Sequence, residues 1–129
     1  MDALQRPPAV VVVDDDPTVV ILLHRVLRDL DIGHDIITTS DSREVLAQLT
    51  IRPVPLVIAD YRMPGMDGLQ LTAAIKARAS NTRVALITAY ATPALAQQAS
   101  AHFVDYYLPK PFALEAFEHM VQSALQSTP

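Results

Sequence analysis

The chain has 129 residues, half of them apolar and 19% charged, with no cysteine and a formal net charge of −4. This length suits one domain with a buried core, and the balance is that of a globular rather than a disordered chain. The composition excludes a disulfide framework or thiolate metal site, argues against direct nucleic-acid binding because no Lys/Arg cluster offsets the negative charge, and offers no apolar run near the ~18 residues that cross a bilayer.

The first eight residues, MDALQRPP, read as a short arm without a signal-peptide core. Val10–Val13 is a continuous apolar run, as in a strand buried on both faces. Asp14, Asp15 and Asp16 follow directly. Asp16 before Pro17 reads as the cap of a helix, with Val19, Leu22, Leu23, Val26, Leu27 and Leu30 on its apolar face and Gly33 ending the segment. Ile36–Thr39 is a short strand. Asp41 and Glu44 have the spacing of a capping box before a helix carrying Val45, Leu46 and Leu49.

The alternation continues. Leu56–Ala59 is a strand ending at Asp60, and the turn-rich MPGMDG leads, with Asp67 as cap, into a helix from about Gly68. Val84–Ile87 is a strand ending at Thr88. Thr92-Pro93 repeats the cap-plus-proline start of a helix. A fifth strand is expected over Phe103–Leu108, ending at Pro109-Lys110, and Phe112, Phe117, Met120, Val121 and Leu125 mark a last helix without a strong polar cap. The core of the single expected domain, 1–129, runs from about 9 to 126, with a polar QSTP tail. Five strand–helix alternations with buried-type strands predict an α/β fold whose parallel sheet is covered on both faces, and ligands of such sheets bind beyond the carboxyl ends of the strands.

The residues at those ends are Asp14 and Asp15 after the first strand, Asp60 after the third, Thr88 after the fourth and Lys110 after the fifth. Singly, Asp14 and Asp15 have an ordinary reading as caps or surface groups, Thr88 as a turn residue and Lys110 as a solvated lysine, whereas Asp60 follows an apolar strand and is not placed to cap the helix near Gly68. Jointly they suggest a site. If strands one and three are neighbours, three carboxylates converge, and two unit charges ~4 Å apart at an effective dielectric near 20 repel by roughly 4 kcal/mol. A divalent cation offsets this, and few carboxylates with waters suit Mg²⁺ better than a Ca²⁺ cage. A carboxylate can also attack phosphorus, with a metal, an ammonium and a hydroxyl supplying charge neutralisation.

The segments VVVVDDDP, VIADYRMPGMDG, LITAY and YYLPKPF, in this order and spacing, resemble the response-regulator receiver domain of two-component signalling, over about Val10 to Leu125. The resemblance implies a flavodoxin-like (βα)5 three-layer sandwich with strand order 2-1-3-4-5. It implies Asp60 as phosphoacceptor and Mg²⁺ held by Asp15 directly, by Asp14 largely through water, by Asp60 and by the backbone carbonyl of Arg62. It implies Thr88 and Lys110 as phosphoryl contacts, a cis Lys110-Pro111 peptide and Tyr107 as the aromatic switch that follows Thr88. Arg62 and Tyr90 fall where the family tunes phosphoryl lifetime. The expected partners are a sensor histidine kinase or phosphotransfer protein and an output domain or protein read through helix four, strand five and helix five, in the cytoplasm; a homodimer on phosphorylation has no sequence feature behind it. Both a complete single-domain regulator and a receiver from a longer protein fit the chain. It is expected to be a switch, not a turnover enzyme. A haloacid-dehalogenase-like phosphatase would need an aspartate where Arg62 stands, and Asp14–Asp16 would repel a flavin phosphate. The intact strand-end set argues against a binding module that is never phosphorylated. Where many members have Ala-Gly-Ala before strand five, this chain has Ala101-His102-Phe103-Val104, so an early end to helix four or a different turn is expected there.

Overall fold

The structure is a computed structural model and describes residues 6–126. Its elements, in chain order, are β1 (Ala9–Val13), α1 (Pro17–Asp29), β2 (Asp35–Thr39), α2 (Ser42–Ile51), β3 (Leu56–Asp60), α3 (Gly68–Arg78), β4 (Arg83–Thr88), α4 (Pro93–Ala101), β5 (Tyr106–Pro109) and α5 (Leu114–Gln126). The strands form one parallel sheet in the order β2-β1-β3-β4-β5, the flavodoxin-like arrangement.

Both faces of the sheet are covered, which is why its central strands are apolar throughout. Val10, Val12, Leu56, Ile58, Ala85 and Ile87 pack on one side against Leu23 and Leu27 of α1 and Phe117, Met120, Val121 and Ala124 of α5. Their alternates Val11, Val13, Val57, Ala59 and Val84 pack on the other against Val45, Leu71 and Ile75 of α2 and α3. A third cluster joins Leu86 to Leu69, Leu95 and Ala99, placing α4 against the sheet beside α3. Period-two alternation within continuous apolar strands sends successive side chains to opposite helical layers.

The helix starts follow the local chemistry. Asp16 accepts from the Thr18 N–H, with Pro17 at the first position of α1. Thr92 accepts from the Leu95 N–H ahead of Pro93. Asp67 forms a full capping box with Gln70. The box expected between Asp41 and Glu44 does not form: Asp41 accepts from the Arg43 N–H and pairs with its guanidinium, while Glu44 accepts from Gln48 one turn on. At α5 the Ala113 carbonyl accepts the Ala116 and Phe117 N–H groups, as expected of a start without a polar cap.

Two boundaries and one helix face differ from the sequence reading. The first helix stops at Asp29, and the turn to β2 uses positive φ at Asp31 (52°) and Gly33 (73°), so Gly33 serves the turn rather than the helix end. Leu22 lies off the core face and is 55% exposed, because the α1 stripe is narrowed to Leu23, Leu27 and their flanks. The fifth strand begins at Tyr106, not Phe103: α4 runs to Ala101, and Phe103 takes φ 65° and is 75% exposed. Phenylalanine thus adopts the left-handed turn usually left to glycine, at a steric cost of roughly 1–2 kcal/mol. Asp105 then pins the start of β5, accepting from Lys76 Nζ at 2.7 Å and from the Val84 N–H at 2.8 Å.

A candidate phosphoryl and metal site at the strand ends

The sheet register builds the site. Val13 pairs with Ala59, so the next residues, Asp14 and Asp60, leave adjacent strands side by side. Thr88 pairs with Pro109, which brings Lys110 past the same edge, where its N–H donates to the Thr88 carbonyl at 2.7 Å. Asp14, Asp15 and Asp60 each offer a carboxylate oxygen within 4.8 Å of the others. Asp14 is fully buried, Asp60 9% exposed and Asp15 exposed, so the cluster opens to solvent on one side. A cleft of about 340 Å³ lined by Asp14, Asp15, Pro17, Ile21 and Thr39 lies beside it.

Asp14, Thr88 and Lys110 are held by local hydrogen bonds and ion pairs. Asp14 Oδ1 accepts from the Asp16 N–H at 2.9 Å, and Oδ2 lies 3.3 Å from Lys110 Nζ. Lys110 Nζ is 3.8 Å from Asp60 Oδ2. Burial, and then the Asp14 charge, push the Asp60 carboxyl up to about 6, against the opposing pull of Lys110 and of the Tyr61 backbone N–H. Thr88 is fully buried and its Oγ1 accepts from the Tyr90 N–H at 2.9 Å, leaving its own proton free to donate. The Lys110-Pro111 peptide is cis, as expected. Tyr107 sits one strand away against Leu69, Leu86, Leu95 and Ala99, with its hydroxyl buried and without a partner. Asp16 stays apart as a helix cap.

Three oxygen donors of one charge, two of them buried, with a carboxyl whose ionisation is suppressed, make a set that a hard divalent cation completes. The residues present therefore fit a divalent ion.

Two contacts at the site were not legible in the sequence. Gly68 was read as a helix start, yet a Cβ there would stand 2.7 Å from the Asp60 carbonyl oxygen and collide with Leu86. Its lack of a side chain lets α3 press against the end of β3, where its N–H donates to the Tyr61 carbonyl at 2.8 Å. A glycine directly after a capping aspartate was the available signal. The second is the pairing of Arg62 with Tyr90, whose ring centroid lies 4.1 Å from the guanidinium carbon. No spacing rule links residues so far apart in the chain.

A doubly wound α/β domain with an acidic pocket, a threonine and a lysine at the carboxyl ends of its strands belongs to a narrow class of folds. The family model for the response regulator receiver domain matches residues 10–122, and the chain belongs to that family. It is 36% identical over 93 residues to the DNA-binding transcriptional regulator NtrC of Salmonella typhimurium, a match covering 72% of this chain and 20% of that protein. It is 36% identical over 89 residues to the response regulator protein FleR of Pseudomonas aeruginosa, covering 69% of this chain and 19% of that one. The chain thus spans about a fifth of the length of these relatives. Among solved structures, the signal receiver domain of an HD domain-containing protein from Pseudomonas fluorescens Pf-5 superposes with a TM-score of 0.84 at 27% identity, covering 94% of this chain and 96% of that one. The chemotaxis protein CheY4 of Vibrio cholerae superposes with a TM-score of 0.81 at 26% identity, covering 92% and 98%. Receiver domains are signalling switches rather than conventional enzymes, and no described helix of this chain is long and apolar enough to cross a membrane.

Proposed function

We propose that this chain is a phosphorylation-dependent switch in which Asp60 accepts a phosphoryl group. The observation that carries the reading is the convergence of Asp14, Asp15 and Asp60 within 4.8 Å, beside the Lys110 ammonium. The donor would be a phosphohistidine on a sensor kinase or phosphotransfer protein. An Asp60 carboxylate oxygen bonds to phosphorus while the P–N bond breaks; the imidazole nitrogen keeps the electron pair and takes a proton. The product is an acyl phosphate, and water attack on its phosphorus later returns the carboxylate and inorganic phosphate.

Asp14, Asp15, Asp60 and the Arg62 backbone carbonyl would hold Mg²⁺, which when bound neutralises the acidic pocket and the incoming phosphoryl oxygens. Lys110 would follow the negative charge from Asp14 toward the phosphoryl group, and the free Thr88 proton would be donated to a phosphoryl oxygen. Phosphorylation brings roughly −1.5 to −2 charges to this edge of the sheet. Thr88 and Tyr107 lie on the neighbouring strands β4 and β5, so inward movement of Thr88 would change the Tyr107 packing and the face made by α4, β5 and α5. A partner or an attached output domain that prefers one arrangement then reads the signal. We place the whole chain in one such domain, acting in the cytoplasm by protein contact rather than by binding nucleic acid itself.

The test is intact-protein mass after incubation with acetyl phosphate, with and without Mg²⁺. Addition of one phosphoryl group that needs the metal and is absent from Asp60→Ala supports the reading. Absence of any addition, under conditions that label another receiver domain, would leave a constitutive binding module.

A further inference from the structure

We propose that Arg62 is a second cationic contact of the phosphoryl group, parked on the Tyr90 ring until that group arrives; the inference rests on Asp60 being the phosphoacceptor. Arg62 stands two residues after Asp60, is exposed, and has no carboxylate partner among the described residues. Its guanidinium carbon lies 4.1 Å from the centroid of Tyr90, which is itself 55% exposed. A cation–π contact in such an exposed position is weak.

The electrostatics of the pocket supply a better place for that charge. Three carboxylates face one ammonium, and Lys110 stands closer to Asp14 than to Asp60. A phosphoryl group makes the pocket more negative still. A guanidinium matches phosphoryl oxygens with two parallel N–H donors, and charge-assisted bonds of this kind outweigh an exposed ring contact. Arg62 is tethered close enough to Asp60 in sequence to make the exchange without moving a helix.

The Tyr90 end of the stack is connected to the same event. The Tyr90 N–H donates to Thr88 Oγ1, so movement of Thr88 toward the phosphoryl group either carries Tyr90 with it or breaks that bond. The Tyr90 end of the contact is therefore tied to a group that would rearrange on phosphorylation. Tyr90 competes with the phosphoryl group for Arg62, and this distinguishes the idea from a ring that simply shields Asp60 from water.

The experiment is a double-mutant cycle on binding of beryllofluoride with Mg²⁺, a stable phosphoryl stand-in, to wild type, Tyr90→Ala, Arg62→Ala and the double variant. Tyr90→Ala should tighten binding about two- to five-fold by releasing Arg62, the size of an exposed cation–π contact. Arg62→Ala should weaken it, and Tyr90→Ala should then have no effect in the Arg62→Ala background. By NMR, the Arg62 side-chain protons should be shielded by the Tyr90 ring in the resting protein and lose that shielding when the stand-in binds. A Tyr90→Ala effect that persists without Arg62, or Arg62 protons still shielded in the bound state, overturns the proposal while leaving Asp60 as acceptor. No binding by the wild type would remove the phosphoacceptor reading and this inference together.

Discussion

Lys110 Nζ lies 3.3 Å from Asp14 Oδ2 and farther, 3.8 Å, from Asp60 Oδ2. The ammonium thus pairs with both carboxylates and stands nearer the fully buried one, Asp14. Burial of Asp60, and then the Asp14 charge, suppress its ionisation, and the Lys110 ammonium offsets this only in part.

A pH dependence of stability follows for the metal-free protein. The Asp60 carboxyl is raised from 3.8 to about 6 in the fold, so between these values the folded chain holds a proton that the unfolded chain releases. Its contribution becomes unfavourable as pH rises through this window and reaches its full penalty above about 6. Asp60→Asn should therefore stabilise the metal-free protein at pH 7 by about 1–3 kcal/mol, and by much less below pH 4. Urea denaturation with chelator at both pH values checks this. Saturating Mg²⁺ should then raise the stability of the wild type, by ~2.7 kcal/mol at a hundred times Kd, and do much less for the variant. Equal gains from Asp60→Asn at both pH values would refute the burial argument.

Gly68 is predicted to be intolerant of even one methyl group. A Cβ would meet the Asp60 carbonyl oxygen at 2.7 Å and the Tyr61 Cα at 3.0 Å, and these are backbone atoms that cannot rotate aside. Gly68→Ala should cost about 1–3 kcal/mol in denaturation experiments and slow phosphoryl uptake by displacing the end of β3. A variant with wild-type stability and labelling would show that α3 is free to shift.

The sheet and its helices were readable because continuous apolar strands and well-placed caps state their roles locally, as at Val10–Val13, Asp16-Pro17 and Thr92-Pro93. The strand-end residues were readable because parallel sheets gather such ends at one edge. What the residues themselves did not state was register: that Val13 faces Ala59, and so Asp14 meets Asp60, is a property of pairing between distant segments. The same limit hid the Gly68 contact and the Arg62–Tyr90 stack. Phe103 misled the strand boundary because its aromatic character suits a strand, whereas tertiary context holds it in a left-handed turn.

Tyr107 carries a buried hydroxyl without a partner, packed among Leu69, Leu86, Leu95 and Ala99. An unsatisfied buried donor is a liability of the order of 1–3 kcal/mol. Tyr107→Phe should leave the resting protein as stable as the wild type or up to ~1 kcal/mol more stable, measured by thermal or urea denaturation. A clear loss of stability would mean that the hydroxyl has a partner in solution, which would weaken the picture of a ring poised to change its packing.

If the proposed switch operates, Asp60 itself carries the phosphoryl group. The most direct measurement is borohydride reduction of the protein after acetyl phosphate and Mg²⁺ treatment, followed by peptide mass mapping, because reduction of an aspartyl acyl phosphate leaves homoserine at the acceptor position. Homoserine at position 60, dependent on both phosphodonor and metal, is the predicted result. Phosphoryl uptake with Asp60 recovered unchanged, or homoserine at Asp14 or Asp15 instead, would contradict it.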